Sequence, residues 1–470
     1  MKTFKLFDKK IDLVIYILVP LCIGFIITKF NYVYVISAAA IIVFFYLDRQ
    51  LQFYTYILSI FYPIVLKVGP INELPLYLIV IPLFFSSMLA SMLARKQKLH
   101  SRDNRLFVFA LTLLFICIAI GYVRNSFSIF SVDLEDSEAK LIGQAYITAF
   151  AGIITFFASQ WFFSMKLYNQ DNLLRFFIFS ALLFAFIRFI TYFGEYAPFL
   201  LSSGFKYSEP GTGALRLGGV DICVGLGIPA LVAYSSDRVT IPRVLLMLVF
   251  LVVGVMGGGR ALFFGVLFSL VIYLSLFHKK YSTKFILACG IIIIIVLLLS
   301  QFVSMPGQIE RISGLTALEQ SFEQQDPGRS ITYSYYWDIF LKNPLFGKGI
   351  GTYEVRLTEH TKFVTEQLID GGHGSYLSII CIFGIGGGIF LCIMLFGGIT
   401  RVYRLFMKNR FEALSVPYKK LVIFIMLFLI TTAFYYITSG AGYQDLKLYL
   451  VVGMLLGITE KTNTVKNNFR

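Results

Sequence analysis

Four basic side chains between residues 216 and 373 have the chemistry to hold a phosphate and to move a proton. Arg216, Arg260 and Arg329 each follow a stretch of small or polar residues, and a guanidinium binds phosphate oxygens with two parallel hydrogen bonds while staying charged at any working pH. His373 follows two glycines and precedes a long apolar run. Because imidazole titrates near neutral pH, it can accept a proton from an attacking hydroxyl. Together these residue types predict an anion-binding site with a general base.

Each candidate also has a purely structural interpretation. An arginine can pair with a nearby carboxylate, such as Asp221 or Glu323, and His373 can cap a helix or bond to a loop carbonyl. Arg188 lies within an apolar run, where a charged side chain is costly. Such a side chain either faces a cavity or a partner, or extends along the helix to the membrane interface. His360 lies in the polar run TEHTK and is interpreted as a solvated loop residue.

Nothing in the sequence indicates a metal, a cofactor or a disulfide. There is no Asp-x-Asp motif and no His/Cys cluster with ligand spacing. The glycine-rich stretch GKGIGTYE lacks the strand–turn–helix context of a phosphate-binding loop, and it predicts a tight turn instead. The cysteines fall inside predicted membrane spans without CxxC spacing, so we interpret them as small packing residues. They are Cys22, Cys117, Cys223, Cys289, Cys381 and Cys392.

The composition indicates an integral membrane protein. Of the 470 residues, 57% are hydrophobic and only 14% are charged, and the mean hydropathy is +0.77. The apolar runs are mostly about 17 to 22 residues long, enough for a helix to cross a hydrocarbon core of about 30 Å. We therefore predict an all-α, polytopic transmembrane helical bundle that forms a single integral membrane domain over residues 1–470. The first run has no cleavage site after it and is predicted to be a retained span.

The positions of the basic residues predict the topology. The net charge is +15, but most Lys and Arg lie in short loops on alternate sides of the spans, which is the positive-inside pattern. This placement indicates orientation and attraction to anionic lipids, and it argues against nucleic-acid binding. We predict about fourteen spans, with twelve to fourteen as the range, and both termini in the cytoplasm. The predicted spans are 11–28, 33–47, 51–66, 74–93, 106–122, 141–163, 173–193, 220–236, 244–257, 261–277, 285–303, 374–399, 421–439 and 446–458.

A large periplasmic loop, residues 304–372, is predicted between the eleventh and twelfth spans. It carries nine acidic and six basic residues, so its arginines are not a topology signal. With this topology, Arg216, Arg260, Arg329 and His373 all fall on the outer face although they come from separate parts of the chain. External arginines oppose the positive-inside bias, and their convergence favours a shared anionic ligand over separate ion pairs.

Four segments of the chain resemble the O-antigen ligase and polymerase superfamily of bacterial surface polysaccharide assembly. The segments are RLGGVDICVGLGIPALVAY, GGGRALFFGVLFSL, GRSITYSYYWDIFLKNPLFGKGIGTYE and HGSYLSIICIFGIGG. Their order and spacing are more specific than any one of them. The matching residues are Arg216, Arg260, Arg329, Trp337, Pro344, Gly347, Gly349, His373, Gly384 and Gly387. The chain departs from the family at Gly374, where an Asn, Ser or Gln is usual, so the polar contact from that position is lost unless Ser375 replaces it.

The resemblance implies a GT-C-like fold and a metal-independent glycosyltransferase that needs no cofactor. The donor would be a glycan on undecaprenyl diphosphate at the periplasmic face of the bacterial inner membrane. An acceptor hydroxyl would attack the anomeric carbon with inversion, and undecaprenyl diphosphate would leave. In this scheme Arg216 and Arg260 hold the diphosphate, Arg329 and Arg188 assist, and His373 activates or positions the acceptor. The implied partners are the glycan donor and acceptor, membrane lipids, a chain-length regulator and a flippase.

Three functions remain open at this point. A polymerase joins one lipid-linked repeat to another, and a ligase transfers the finished glycan to lipid A-core or to a protein. The chain length and the number of spans favour the polymerase. A flippase or other transporter is the alternative of another class, but such proteins show paired halves with broken helices or charges near the midplane, and no clear halves are visible here.

Overall fold

The computed structural model describes eighteen separate stretches of the chain. The predicted spans 11–28, 33–47 and 285–303 lie outside them, as do His360, His373, Cys22 and Cys289. The described residues are 49–61, 65–68, 71–95, 104–131, 136–164, 170–193, 206–208, 215–217, 222–236, 240–256, 260–277, 327–350, 352–355, 364–367, 375–407, 411, 414–438 and 442–467.

The chain divides into two compact units, Met1–Ser91 and Met92–Arg470. In the first unit, α1 (Arg49–Phe61) is followed by an antiparallel hairpin of β1 (Val65–Val68) and β2 (Ile71–Pro75), and then by α2 (Tyr77–Arg95), which continues into the second unit. An aromatic stack of Tyr56 on Phe84, with ring centroids 4.5 Å apart, joins α1 to α2. The prediction that the whole chain is one domain stays a prediction.

The second unit consists of helices with two further short hairpins. β3 (Lys206–Ser208) pairs antiparallel with β4 (Leu215–Leu217), with Tyr207 opposite Arg216. β5 (Thr352–Val355) pairs antiparallel with β6 (Val364–Gln367). The elements are α3 (Arg105–Ser131), α4 (Asp136–Ser164), α5 (Gln170–Phe193), β3 (Lys206–Ser208), β4 (Leu215–Leu217), a π-helical segment (Ile222–Gly227), α6 (Ile228–Tyr234), α7 (Ile241–Met256), α8 (Arg260–Phe277), α9 (Pro327–Lys342), β5 (Thr352–Val355), β6 (Val364–Gln367), α10 (Ser375–Cys392), a second π-helical segment (Ile393–Gly397), α11 (Gly398–Met407), α12 (Val416–Thr438) and α13 (Leu446–Asn467).

The helices confirm the predicted helical class, while the three hairpins were not predicted. Within the part of the chain that the structure describes, four helical stretches are long and apolar enough to cross a membrane, namely Arg105–Arg124, Ala145–Ser164, Ser375–Met407 and Val416–Ile437. Large apolar side chains on α3 and α5 point away from the protein, for example Phe109 and Phe179, which are 56% and 62% exposed. Such surfaces suit contact with lipid rather than water. The count of fourteen spans stays a prediction.

Contacts between helices fix their relative directions. α3 runs antiparallel to α10 and α11, because Gly386 lies against Cys117 and Gly397 lies against Phe107. α8 runs antiparallel to α12, since the Phe268 ring lies 4.6 Å from that of Phe434 in the last part of α12, whereas the Phe277 ring at the end of α8 lies 5.5 Å from that of Phe411, just before α12. Both relations agree with the inward and outward alternation that the basic loops predict. We call the end of the second unit where α3 reaches Arg124 and α8 begins its outer end.

The opposite end of the second unit carries a cluster of positive charge. The side chains of Arg175 in α5, Arg243 in α7 and Lys420 in α12 lie 5.5, 4.7 and 5.4 Å from the centre of the Tyr234 ring. The Arg175 guanidinium also donates a hydrogen bond of 2.9 Å to the Tyr234 hydroxyl. Cation–π contacts of this kind stabilise helix ends, and their basic character fits the predicted cytoplasmic side.

Candidate active site

The most distinctive feature of the outer end is a break in α10. Gly384 has φ +64° and ψ −155° inside an otherwise helical stretch, so the helical hydrogen bonds across it are not formed. The freed backbone groups bond to the loop of residues 343–350, which we call the inserted loop. The amides of Lys348 and Gly349 donate to the carbonyls of Cys381 and Ile382 at 3.0 and 2.8 Å. The break therefore leaves these helix carbonyls paired with backbone donors of the loop.

A third bond completes this exchange, because the amide of Ile385 donates to the carbonyl of Pro344 at 2.8 Å. Each backbone group left unpaired in a buried place costs about 1–3 kcal/mol, and more in a lipid environment. The inserted loop thus removes a cost of several such groups. The Pro-Leu-x-Gly-x-Gly segment, residues 344–349, is therefore bonded directly to the part of α10 that contains the GxxG segment, residues 384–387.

Glycine is required on both sides of this junction. Gly347 and Gly384 have φ of +67° and +64°. A Cβ atom on Gly384 would lie 2.5 Å from the carbonyl carbon and oxygen of Leu345, and a Cβ atom on Gly347 would overlap the backbone of Ile382. The stretch GKGIG therefore forms a turn, as predicted, but the turn packs backbone against backbone in the break.

The first half of α10, residues 375–383, lies across the turn between α12 and α13. Ser375 and Ile379 both lie against Gly442, and the Phe383 ring meets the Tyr443 ring edge-on at 5.0 Å. Ser375, Ile379 and Phe383, which are spread over about 12 Å of helix, therefore contact two consecutive residues of the turn. The second half of α10 continues inward with α11.

Side-chain bonds hold this first half in place. The Tyr376 hydroxyl donates to the carbonyl of Ala433 in α12 at 2.8 Å. On the other side α9 packs against it, with Tyr336 and Ile339 of α9 forming a buried cluster with Cys381. Three of the cysteines are buried in helix contacts as predicted, these being Cys117, Cys223 and Cys381, whereas Cys392 is exposed.

Of the predicted site residues, Arg329 is the one whose backbone the structure places at this junction. α9 runs parallel to the first half of α10, because Tyr336 lies in the cluster with Cys381 while Pro344, which follows the C-terminal end of α9, bonds to Ile385. Arg329 is in the first turn of α9, about 10 Å along the axis from Tyr336. This register brings the backbone of Arg329 close to the start of α10. His373, two residues before α10, lies outside the described residues.

The other three arginines lie along neighbouring helices at the outer end. Arg260 is the first residue of α8, and Arg216 is in β4, six residues before the π-helical segment that begins at Ile222. Gly225 of that segment lies against Leu262 of α8, so the chain after Arg216 passes beside the start of α8. Arg188 is near the C-terminal end of α5.

α12 connects the two groups of positions. Gly265 of α8 lies against Thr431 and Phe434, which places Arg260 near the C-terminal end of α12, and the turn after α12 contacts Ser375. The side chains of Arg188, Arg216, Arg260 and Arg329 lie outside the described residues. The predicted convergence of these four arginines with His373 stays a prediction.

Arg124 and Lys348 were missed by the sequence analysis. The Arg124 guanidinium, at the outer end of the α3 span, donates a hydrogen bond of 3.0 Å from Nη1 to the carbonyl of Gly347. Lys348 is half-buried in the inserted loop, and burial lowers the pKa of its ammonium group. The predicted topology places Arg124 just after an outward span, so the sequence marked it as a candidate external arginine but did not indicate its partner.

The apolar helices and the interlocked outer end define an integral membrane protein with arginines and an inserted loop at one end. Residues 245–392 match the family model described as O-antigen ligase. This match supports the resemblance to the O-antigen ligase and polymerase superfamily, whose members are integral membrane proteins and glycosyltransferase-like ligases or polymerases. The resemblance seen in the sequence is confirmed. A search of curated proteins finds no match.

The matched region contains most of the features described above. It begins in α7, includes Arg260, Arg329, His373 and the whole inserted loop, and ends with α10. Arg216 and Arg124 lie before it. The family match and the break in α10 therefore concern the same part of the molecule.

Proposed function

We propose that the protein is a polysaccharide polymerase that joins undecaprenyl-diphosphate-linked oligosaccharide repeats at the periplasmic face of the inner membrane. The observation that carries the proposal is the family match over residues 245–392, in a chain whose Arg260 begins α8 and whose His373 directly precedes the broken helix.

In the proposed reaction a hydroxyl of the acceptor repeat attacks the anomeric carbon of the donor. The new glycosidic C–O bond forms as the bond from the anomeric carbon to the diphosphate oxygen breaks, and the configuration inverts. His373 accepts the hydroxyl proton. Undecaprenyl diphosphate leaves with the bonding electron pair.

The leaving group defines what the arginines must do. A diphosphate is already a good leaving group, and its developing charge needs fixed positive groups more than a proton donor. Arg216 and Arg260 hold the diphosphate, while Arg329 and Arg188 assist. The start of an 18-residue helix at Arg260 supports this role, because the N-terminal end of a helix carries partial positive charge and free N–H groups.

A ligase is the second candidate, because the matching family is described by that activity. Both reactions use the same donor chemistry and differ in the acceptor. The glycan profile of a deletion strain separates them. Single repeats on lipid A-core indicate a lost polymerase, whereas long lipid-linked chains with bare core indicate a lost ligase.

The proposed site is tested by returning variants to the deletion strain. We expect His373→Ala and Arg260→Lys each to reduce glycan elongation more than about a hundredfold, because one removes the base and the other replaces a forked guanidinium with a single ammonium. The measurements are the glycan profile and the amount of protein in the membrane fraction.

His360→Ala is the matched control, since it removes the other histidine of the same predicted loop and is expected to leave the glycan profile unchanged. Wild-type chain lengths from membranes that contain His373→Ala would refute the catalytic role of that residue. Wild-type chain lengths with Arg260→Lys would refute the diphosphate assignment.

A further inference from the structure

Arg124 links the outer end of α3 to the inserted loop. Its Nη1 atom donates to the carbonyl of Gly347 at 3.0 Å, and its side chain is otherwise exposed. Among the described residues, this carbonyl is the only hydrogen-bond acceptor that Arg124 contacts. The bond joins residues that are 223 positions apart in the chain, so it connects two elements that no local sequence signal would pair.

The same face of α3 contacts the loop one turn earlier. A Cβ atom on Gly121 would lie 3.1 Å from the Cα atom of Gly349, which means that the loop backbone passes directly over Gly121. Residues three apart share one face of a helix. Gly121 therefore provides the space for the loop, and Arg124 provides the polar bond that fixes its height on α3.

Gly347 is also the residue of the loop with the least freedom. Its φ is +67°, and a side chain at this position would overlap the backbone of Ile382 in α10. One side of Gly347 thus faces the break, and its carbonyl faces α3. A hydrogen bond from a charged donor is stronger than one between neutral groups, so Arg124 is well suited to hold this residue.

The position of the loop determines how α10 is bent. Before Gly384, the carbonyls of Cys381 and Ile382 accept hydrogen bonds from two amides of the loop. After Gly384, the amide of Ile385 donates to the carbonyl of Pro344. The loop therefore fixes both sides of the bend at once. The half of α10 before the bend leads back to His373.

From these contacts we infer that Arg124 is a positioning residue, which clamps the inserted loop into the break of α10 and thereby sets the location of His373. The inference rests on the proposed function for the role of His373. Arg124 acts through the loop and touches no reacting atom.

The first test measures the clamp without any activity assay. Hydrogen–deuterium exchange of the full-length protein in lipid nanodiscs is followed for peptides that cover residues 343–350 and 381–385. We expect Arg124→Gln to speed exchange of the Lys348 and Gly349 amides at least about tenfold, because their bonds open when the loop is released. Arg124→Lys, which keeps a charged donor, is expected to have a smaller effect.

The second test measures the consequence for turnover, with a lipid-linked repeat in proteoliposomes. We expect Arg124→Gln to lower kcat at least about tenfold with the donor KM within about twofold, since a misplaced base affects the chemical step. Arg124→Lys should recover part of the kcat. Arg105→Gln is the matched control, because it removes an exposed arginine from the other end of the same helix and is expected to change neither quantity.

The outcomes separate the inference from the proposed function. Unchanged exchange in both Arg124 variants overturns the clamp, whatever the activity. A raised donor KM with unchanged kcat also overturns it, because that result indicates direct donor binding. Faster exchange in a protein whose wild-type form shows no glycan transfer supports the clamp and refutes the proposed function.

Discussion

The break in α10 and the contact between α4 and α13 both depend on glycine, but in different ways. In α13, Gly453 and Gly457 lie in an unbroken helix, and Cβ atoms there would be 2.5 Å from the carbonyl oxygens of Phe156 and Gln160 in α4. In α10, Gly384 adopts a positive φ that other residues rarely adopt. Glycine thus allows a short distance in the first region and a backbone conformation in the second.

This difference indicates two roles within one bundle. The helices α4 and α13 keep all their own hydrogen bonds and approach closely, which makes them a scaffold. At the break in α10, backbone groups bond to the inserted loop instead of to the helix itself. The hydrogen bonds of the loop and of the break are therefore formed only when these two segments meet. Substitutions in the scaffold should change stability, and substitutions in the break should change activity as well.

The largest effect is expected for Gly384→Ala. The combination of φ +64° and ψ −155° at Gly384 is essentially restricted to glycine and costs another residue about 1–3 kcal/mol, and the new methyl group would lie 2.5 Å from the Leu345 backbone, which cannot rotate away as a side chain can. We expect glycan elongation per folded molecule to fall more than about tenfold, because His373 is displaced. Thermal unfolding of the purified protein and its glycan transfer rate measure the two effects. A normal transfer rate would show that the bend is not needed for function.

Gly457→Ala should have a smaller and different effect. Its methyl group would lie 2.5 Å from the Gln160 carbonyl and 2.7 Å from Cβ of Phe163, and overpacking of this kind costs about 1–3 kcal/mol. We expect a lower Tm with transfer per folded molecule within about twofold of wild type. The distinction between scaffold and break would be wrong if this variant kept its Tm and lost its activity.

Gly143→Ala should have the smallest effect, with the opposite sign. Gly143 lies in α4 before its membrane-spanning part, and no atom lies within 4 Å of an added Cβ atom. Alanine in a helix is more stable than glycine by about 0.5–1 kcal/mol. We expect a small rise in Tm and no change in transfer. A clear fall in Tm would mean that α4 is more closely packed at this point than the contacts show.

The sequence predicted the helices well because long apolar runs leave few alternatives. The predicted spans 106–122, 173–193 and 261–277 fall within α3, α5 and α8 as the structure has them. The predicted directions also agree with the packing, since the basic loops carry that information directly. Both results follow from properties that a short window of sequence contains.

The break in α10 could not be predicted in the same way. Gly384 stood out as part of a motif, but the run around it is uniformly apolar and reads as one continuous span. The bend exists only because Pro344, Lys348 and Gly349 supply bonds from a distant segment. Arg124 was missed for a related reason, as its partner is a backbone carbonyl in a loop and not a residue with a recognisable type.

The packing of residues 375–383 has a further consequence. Because Ser375 and Ile379 lie against Gly442 and Phe383 meets Tyr443, the start of α10 and the link between α12 and α13 form one contact surface. A substitution in that link, such as Gly442→Ala, which would place a Cβ atom 3.1 Å from Cβ of Ser375, would therefore act on the start of α10 although the two are far apart in the sequence.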